Sequence, residues 1–204
     1  MIKKVDILGI QLDNYTVREA IMCVERYLSN NVLNTIESIS LQMLIDSETN
    51  PVLKEVMSSL DLAIIGEKEI IQAAGLESMQ RIRETEENDF YFEFFKRIER
   101  NKKSVFLLGD TQEKIDSLKA ELAEDYPKLI LAGEYAVETC VGDLEAVIND
   151  MNATTPDVII SVLPSPMQEQ FLYEHRDKMN ANIWYGIGGV PVHKNCLLYT
   201  SPSR

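Results

Sequence analysis

The chain has 204 residues, enough for one domain with a sizeable core, and is 45% hydrophobic and 26% charged, which excludes collagenous, low-complexity and wholly disordered classes. Twenty basic residues against 33 acidic ones leave a net charge of −13, so no nucleic-acid partner is expected, because a duplex surface needs clustered Lys and Arg. Any anionic ligand must be held locally, by backbone amides, helix N-termini and a few placed cations.

In chain order, residues 5–10 read as a first strand or ribbon, and Thr16-Val-Arg-Glu19 is a capping box opening a helix to about Leu28. Residues 35–40 form a second short strand. Asn50-Pro51 starts a helix through about Ser59, and residues 62–65 form a buried strand ending at Gly66. The charged stretch 77–99 reads as a loop followed by a helix whose Phe90, Tyr91, Phe94, Phe95 and Ile98 recur at three-and-four spacing, one apolar face. Then come a strand at 105–108, a capping box at Asp110-Thr-Gln-Glu113, and a helix to about Asp125. Strands at 129–132, 158–162 and 183–187 follow, separated by helices at about 143–151 and 167–179. Strands alternating with helices predict an α/β fold, Rossmann-like, with a mostly parallel sheet and helices on both faces. Residues 1–194 are expected to form a single domain.

Residues 195–204 are set apart. The run from Cys196 to Arg204 resembles a translated transposon-end sequencing adaptor and is expected to be a non-native tail, with the natural protein continuing beyond Lys194 or Asn195. Cys23, Cys140 and Cys196 have neither zinc, redox nor disulfide-framework spacing, which points to a reducing cytoplasm. No metal site is expected. No classical signal peptide or run of ~20 apolar residues is present, so neither export nor a membrane span is expected.

Ligands of open α/β sheets bind outside the carboxyl ends of the strands, and three strand-to-helix turns are candidates. Gly109, after Val105-Phe-Leu-Leu108, allows a tight turn into a helix N-terminus that could hold a phosphate, or is an ordinary turn. In Pro164-Ser165-Pro166-Met167-Gln168-Glu169, Ser165 and Gln168 can cap a helix, or the Gln168 amide can pair with a uracil or sugar edge. Gly186, Gly188 and Gly189 permit close backbone approach to a ligand or to a neighbouring element. Their spacing is not the dinucleotide fingerprint, which disfavours a nicotinamide enzyme. His175 reads as a solvated helix residue. Glu67 and Glu69 are the carboxylates read at the end of a buried strand.

The order of Asp13-Asn14, Ser38-Ile-Ser40, Leu60-Asp-Leu62, Val105-Phe-Leu-Leu-Gly109, Pro166-Met-Gln168-Glu169 and Gly186-Ile-Gly188-Gly189 resembles the WecG/TagA/CpsF glycosyltransferase family, glycosyltransferase family 26. The resemblance implies transfer of an N-acetylhexosamine, often N-acetylmannosamine, from a UDP-sugar to a polyprenyl-diphosphate-linked sugar. It implies a peripheral cytoplasmic protein at the inner face of the membrane, serving teichoic acid, common antigen or capsule assembly. The UDP-sugar is a substrate and no cofactor is implied. Ser38, Ser40, Gly66, Arg81, Gly109, Gln168, Glu169, Gly186, Gly188 and Gly189 would bind substrate.

The chain departs from that pattern where the family carries its Asp base: Gly66 falls on the position. Glu67 beside it is then the expected catalytic base, or a solvated carboxylate with no role. Ser38 and Ser40 stand where Thr and Asn are usual, and Arg81 can contact the diphosphate or be a surface cation. The family's basic C-terminal extension, expected to meet the membrane, is missing from this sequence. A member that binds a nucleotide sugar without transferring it, as a regulator or scaffold, is the alternative; an unrelated α/β protein is a third reading. The formation of a homo-oligomer stays open.

Overall fold

In the computed structural model residues 3–76 and 78–190 are described, and all structural statements below concern them. The expected non-native tail, Cys196 and Glu77 lie outside the described residues. Eight strands form one sheet: β1 (Lys4–Ile7), β2 (Ile10–Asp13), β3 (Asn34–Ile39), β4 (Leu62–Ile65), β5 (Ser104–Gly109), β6 (Ile130–Ala136), β7 (Val158–Ser161) and β8 (Ile183–Gly186). Their order is β1-β2-β4-β3-β8-β7-β5-β6, parallel throughout except for the antiparallel β1–β2 pair. The expected Rossmann-like α/β architecture is present.

The helices are α1 (Val17–Ser29), α2 (Leu41–Asp46), α3 (Pro51–Ser58), α4 (Lys68–Ala73), α5 (Met79–Glu86), α6 (Asp89–Arg100), α7 (Gln112–Asp125), α8 (Glu145–Ala153) and α9 (Met167–His175). One sheet face is covered by α1, α6 and α7, which bury Val24, Phe94, Phe95 and Leu118 against Ile36, Leu107 and Tyr185. The other is covered by α2, α3, α4, α8 and α9, which bury Met43, Leu53, Ile70, Met151 and Phe171 against Ile39, Ala63, Phe106 and Trp184. Strands apolar on both faces are what a parallel sheet between two helical layers requires.

Local chemistry explains most boundaries. Thr16 accepts from Glu19 N at 3.2 Å and Asn50 from Leu53 N at 3.1 Å, with Pro51 opening α3. The α7 cap is Thr111, which accepts from Lys114 N at 3.3 Å, one residue later than the expected box. The expected first strand is instead a hairpin that turns at Leu8 and Gly9, both at positive φ (53° and 84°), the conformation of a two-residue turn that matches strand twist.

Part of the expected loop within 77–99 is α5, capped by Ser78, which accepts from Arg81 N at 3.3 Å. Its inward residues are Arg81 and Glu84, 8% and 7% exposed, so an ion pair occupies the face where apolar periodicity would have signalled a helix. The strand expected at 129–132 runs on to Ala136, because at the sheet edge its residues stay partly exposed and lose the apolar signature.

Candidate functional site

Because β2 to β8 run parallel, Ser38 and Ser40, Gly66 and Glu67, Leu163, and Gly186 to Gly189 meet at one edge of the sheet, the carboxyl edge. The central strands β3 and β8, far apart in sequence, lie side by side there. Ser40 caps α2, accepting from Met43 N at 3.2 Å. Glu67 serves the same helix, with Oε1 accepting from Leu41 N at 2.7 Å. Gly66 donates its N–H to Ile39 O at 2.8 Å, and a Cβ built on it would lie 2.7 Å from that oxygen and 2.7 Å from Val190 Cγ2. In this backbone, position 66 has no room for a side chain.

Two hollows open beside these residues. The larger, about 530 Å³, is lined by Ser40, Leu41, Gln42, Ile45, Glu67, Gly188 and Gly189, and falls in the size range of small-molecule clefts. The smaller, about 30 Å³, is lined by Asp13, Tyr15, Ser38, Gly66, Arg81 and Glu84 among others, a volume that holds about one water. Arg81 Nη1 lies 3.4 Å from Glu84 Oε1 while its Nε meets no partner, and Glu84 Oε2 accepts from Val17 N at 3.1 Å. Burial lowers the Arg81 pKa from the ordinary guanidinium value, against the pull of Glu84. Arg81 is therefore an interior group of α5, not a surface cation.

The wall between the hollow and α9 is built from buried polar groups. Gln168 and Glu169 are both fully buried. Gln168 Nε2 donates to Glu169 Oε2 at 2.9 Å, and Gln168 Oε1 accepts from Gly188 N at 3.2 Å. Both ends of the amide that was read as a uracil or sugar contact thus face the protein. A Cβ on Gly186 would lie 2.7 Å from Gln168 Cδ and 2.8 Å from Glu37 Oε2, and one on Gly188 would lie 1.8 Å from Leu163 O. The glycines let β8 and the following turn pass against these groups. Ser165 does not cap α9; its hydroxyl donates to Glu169 Oε1, and the Ser165–Pro166 peptide is cis.

Glu37, in the middle of β3, was not singled out from sequence. It is fully buried, and its Oε2 accepts from Trp184 Nε1 at 3.0 Å. Its pKa is pushed well above the ordinary carboxylate range, first by burial and next by the charge of Glu169. The available signal was a lone carboxylate inside an otherwise strand-forming segment. Gly109 stands apart: it packs against Ile115 and Val162 and lines neither hollow. His175 is 7% exposed with its ring 4.8 Å from that of Phe171, so it is a core histidine, not a solvated one.

Known proteins resemble the chain over this whole unit. It is 21% identical over 188 residues, 91% of the chain and 73% of the relative, to the N-acetylglucosaminyldiphosphoundecaprenol N-acetyl-beta-D-mannosaminyltransferase of Staphylococcus aureus strain NCTC 8325 / PS 47. The proteins of the same name in S. aureus strains COL and MSSA476 match equally. A family model for the glycosyl transferase WecG/TagA/CpsF family matches residues 5–191. With its sheet, its carboxyl-edge cleft and that match in agreement, the chain belongs to the glycosyl transferase WecG/TagA/CpsF family.

Proposed function

We propose that the protein transfers an N-acetylhexosamine, N-acetylmannosamine-like, from a UDP-sugar to a polyprenyl-diphosphate-linked acceptor in cell-envelope polysaccharide synthesis, working as a peripheral protein at the inner face of the membrane. The observation that carries this reading is the cleft of about 530 Å³ at the carboxyl edge, with the Glu67 carboxylate and the Gly188–Gly189 turn on its wall, in a chain of this family. Glu67 is the proposed base. Its Oε1 is held by Leu41 N–H, and its other oxygen is assigned the proton of the acceptor hydroxyl. The acceptor oxygen then bonds to the anomeric carbon as the bond from that carbon to the UDP oxygen breaks, and UDP leaves with the electron pair. The Gly189 backbone N–H at the cleft wall is assigned the growing charge on the diphosphate, since Gly188 N–H is already held by Gln168 and Arg81 lines the smaller hollow.

The second reading, a nucleotide-sugar binder without turnover, is favoured by one specific feature. Gly66 stands at the family's base position with no space for a side chain, and Glu67 is engaged as a helix cap.

UDP-N-acetylhexosamine is added to the chain while thermal stability and transfer to a short-chain lipid diphosphate are followed. Ligand at 100 times its Kd should stabilise the fold by about 2.7 kcal/mol. Glu67→Gln keeps an oxygen for Leu41 N–H, so it should leave stability and binding in place and abolish transfer. Full transfer by this variant overturns the base assignment. Binding without transfer by the unaltered chain supports the second reading, and no UDP-dependent shift overturns both.

A further inference from the structure

A fully buried carboxyl group lies outside the roles assigned above. Glu37 Oε2 is engaged by Trp184 Nε1, but Glu37 Oε1 meets no donor although no solvent reaches it. Gln168 comes up beside it across the bare Gly186, where a Cβ would lie 2.7 Å from Gln168 Cδ and 2.8 Å from Glu37 Oε2, and the adjoining Glu169 is also fully buried, its oxygens taking the Ser165 hydroxyl and the Gln168 amide. Ionised carboxylates only accept and repel one another in a dry site, so two of them buried in one cluster favour a proton on one. From Glu169 the contacts continue through the Gln168 amide to Gly188 N–H, and Gly188 lines the larger cleft. A buried polar cluster therefore extends from a strand interior to the cleft wall.

We propose that Glu37 is a positioning residue of the candidate site: it shares one proton with Glu169, and this pair sets the Gln168 amide that holds Gly188 N–H at the cleft wall. The inference rests on the function proposed above only in giving that wall a ligand. With one proton the pair carries one negative charge and is bonded across. Without it, two charges face each other in a dry site; Glu169 moves away, Gln168 follows, and Gly188 N–H loses its acceptor. The groups facing Glu37 are Trp184 and the bare Gly186 on β8 and Gln168 and Glu169 on α9, and none of these is a cation. His175, further along α9, is screened from Trp184 by the Phe171 ring, which stacks on the indole at 5.9 Å. Burial pushes the His175 imidazole down, which places its titration on the acid side.

The chain contains one tryptophan, and its indole donates to the group in question. Trp184 emission is therefore followed against pH, together with the amide resonances of protein labelled with ¹⁵N-glycine, which has nine glycines to resolve. The expected result is a step in emission at a pH above the ~4.3 of an ordinary glutamate, with the Gly188 amide moving at the same midpoint. Glu37→Gln supplies a permanent donor and should abolish the step while keeping the low-pH Gly188 resonance. Glu37→Ala should displace that resonance at every pH, and His175→Phe should leave the step in place. Absence of the step, its survival in Glu37→Gln, or a Gly188 amide that ignores it overturns the proposal. Titration with UDP-N-acetylhexosamine separates the two readings: a chain that shows the coupled step and binds no nucleotide sugar keeps the Glu37 assignment and overturns the proposed function.

Discussion

At the scale of single residues, the site is made as much by what is missing as by what is present. Gly66, Gly186 and Gly188 sit where an added Cβ would collide with backbone or with buried polar groups, so each lets two segments approach closely. This was legible as a run of glycines after a strand; what they approach was not, because Leu163, Gln168 and Glu37 are distant in sequence. Glu37 was missed since strand reading follows apolar pattern, and its partners lie on β8 and α9. It also carries a consequence for stability. An acid raised in the fold stays protonated where the unfolded chain, near ~4.3, has already ionised, so its stabilisation is complete below that value and is lost as pH rises toward the folded pKa. The thermal midpoint of the unaltered chain should therefore fall relative to that of Glu37→Gln as pH rises above the ~4.3 of an ordinary glutamate. Parallel curves would contradict a raised Glu37.

At the scale of elements, boundaries with local chemistry were readable and elements built on tertiary partners were not. The caps of α1 and α3 and the aromatic stripe of α6 follow from side chains within a few residues of one another. Phe94 on that stripe is fully buried, with its ring 4.5 Å from that of Tyr185 on β8. Phe94→Ala should cost about 3–5 kcal/mol in urea unfolding, and a loss below 1 kcal/mol would show that α6 is not seated as described. By contrast, α5 buries a charged pair, and α2 and α4 are six-residue turns of helix shorter than the window in which periodicity can be recognised. Of these, α2 lines the cleft and takes its caps from Ser40 and from Glu67 across the β4 turn, while α5 lines the smaller hollow.

At the scale of the molecule, the net charge of −13 opposes a negatively charged membrane surface. No helix among the described residues is long and apolar enough to cross a membrane. The described residues are then expected to meet a membrane in the proposed role through the lipid-linked acceptor rather than through their own surface charge. In co-sedimentation at low ionic strength, plain anionic vesicles should leave the chain in the supernatant, and vesicles bearing a polyprenyl diphosphate-linked N-acetylglucosamine should carry it down. Equal binding to both would point to a surface contact outside the cleft.

The alternation of strand and helix, the caps of the longer helices and the glycine turns lie in neighbouring residues, and that was enough to place the chain in its α/β class and to carry its family resemblance. The order of the strands, the burial of Arg81, Glu37 and His175, and the inward turn of the Gln168 amide depend on residues far apart in sequence, 147 positions in the Trp184–Glu37 bond. Local propensity acts over a few residues, whereas desolvation and close packing act between whatever segments the sheet brings together. The cleft arises from that assembly.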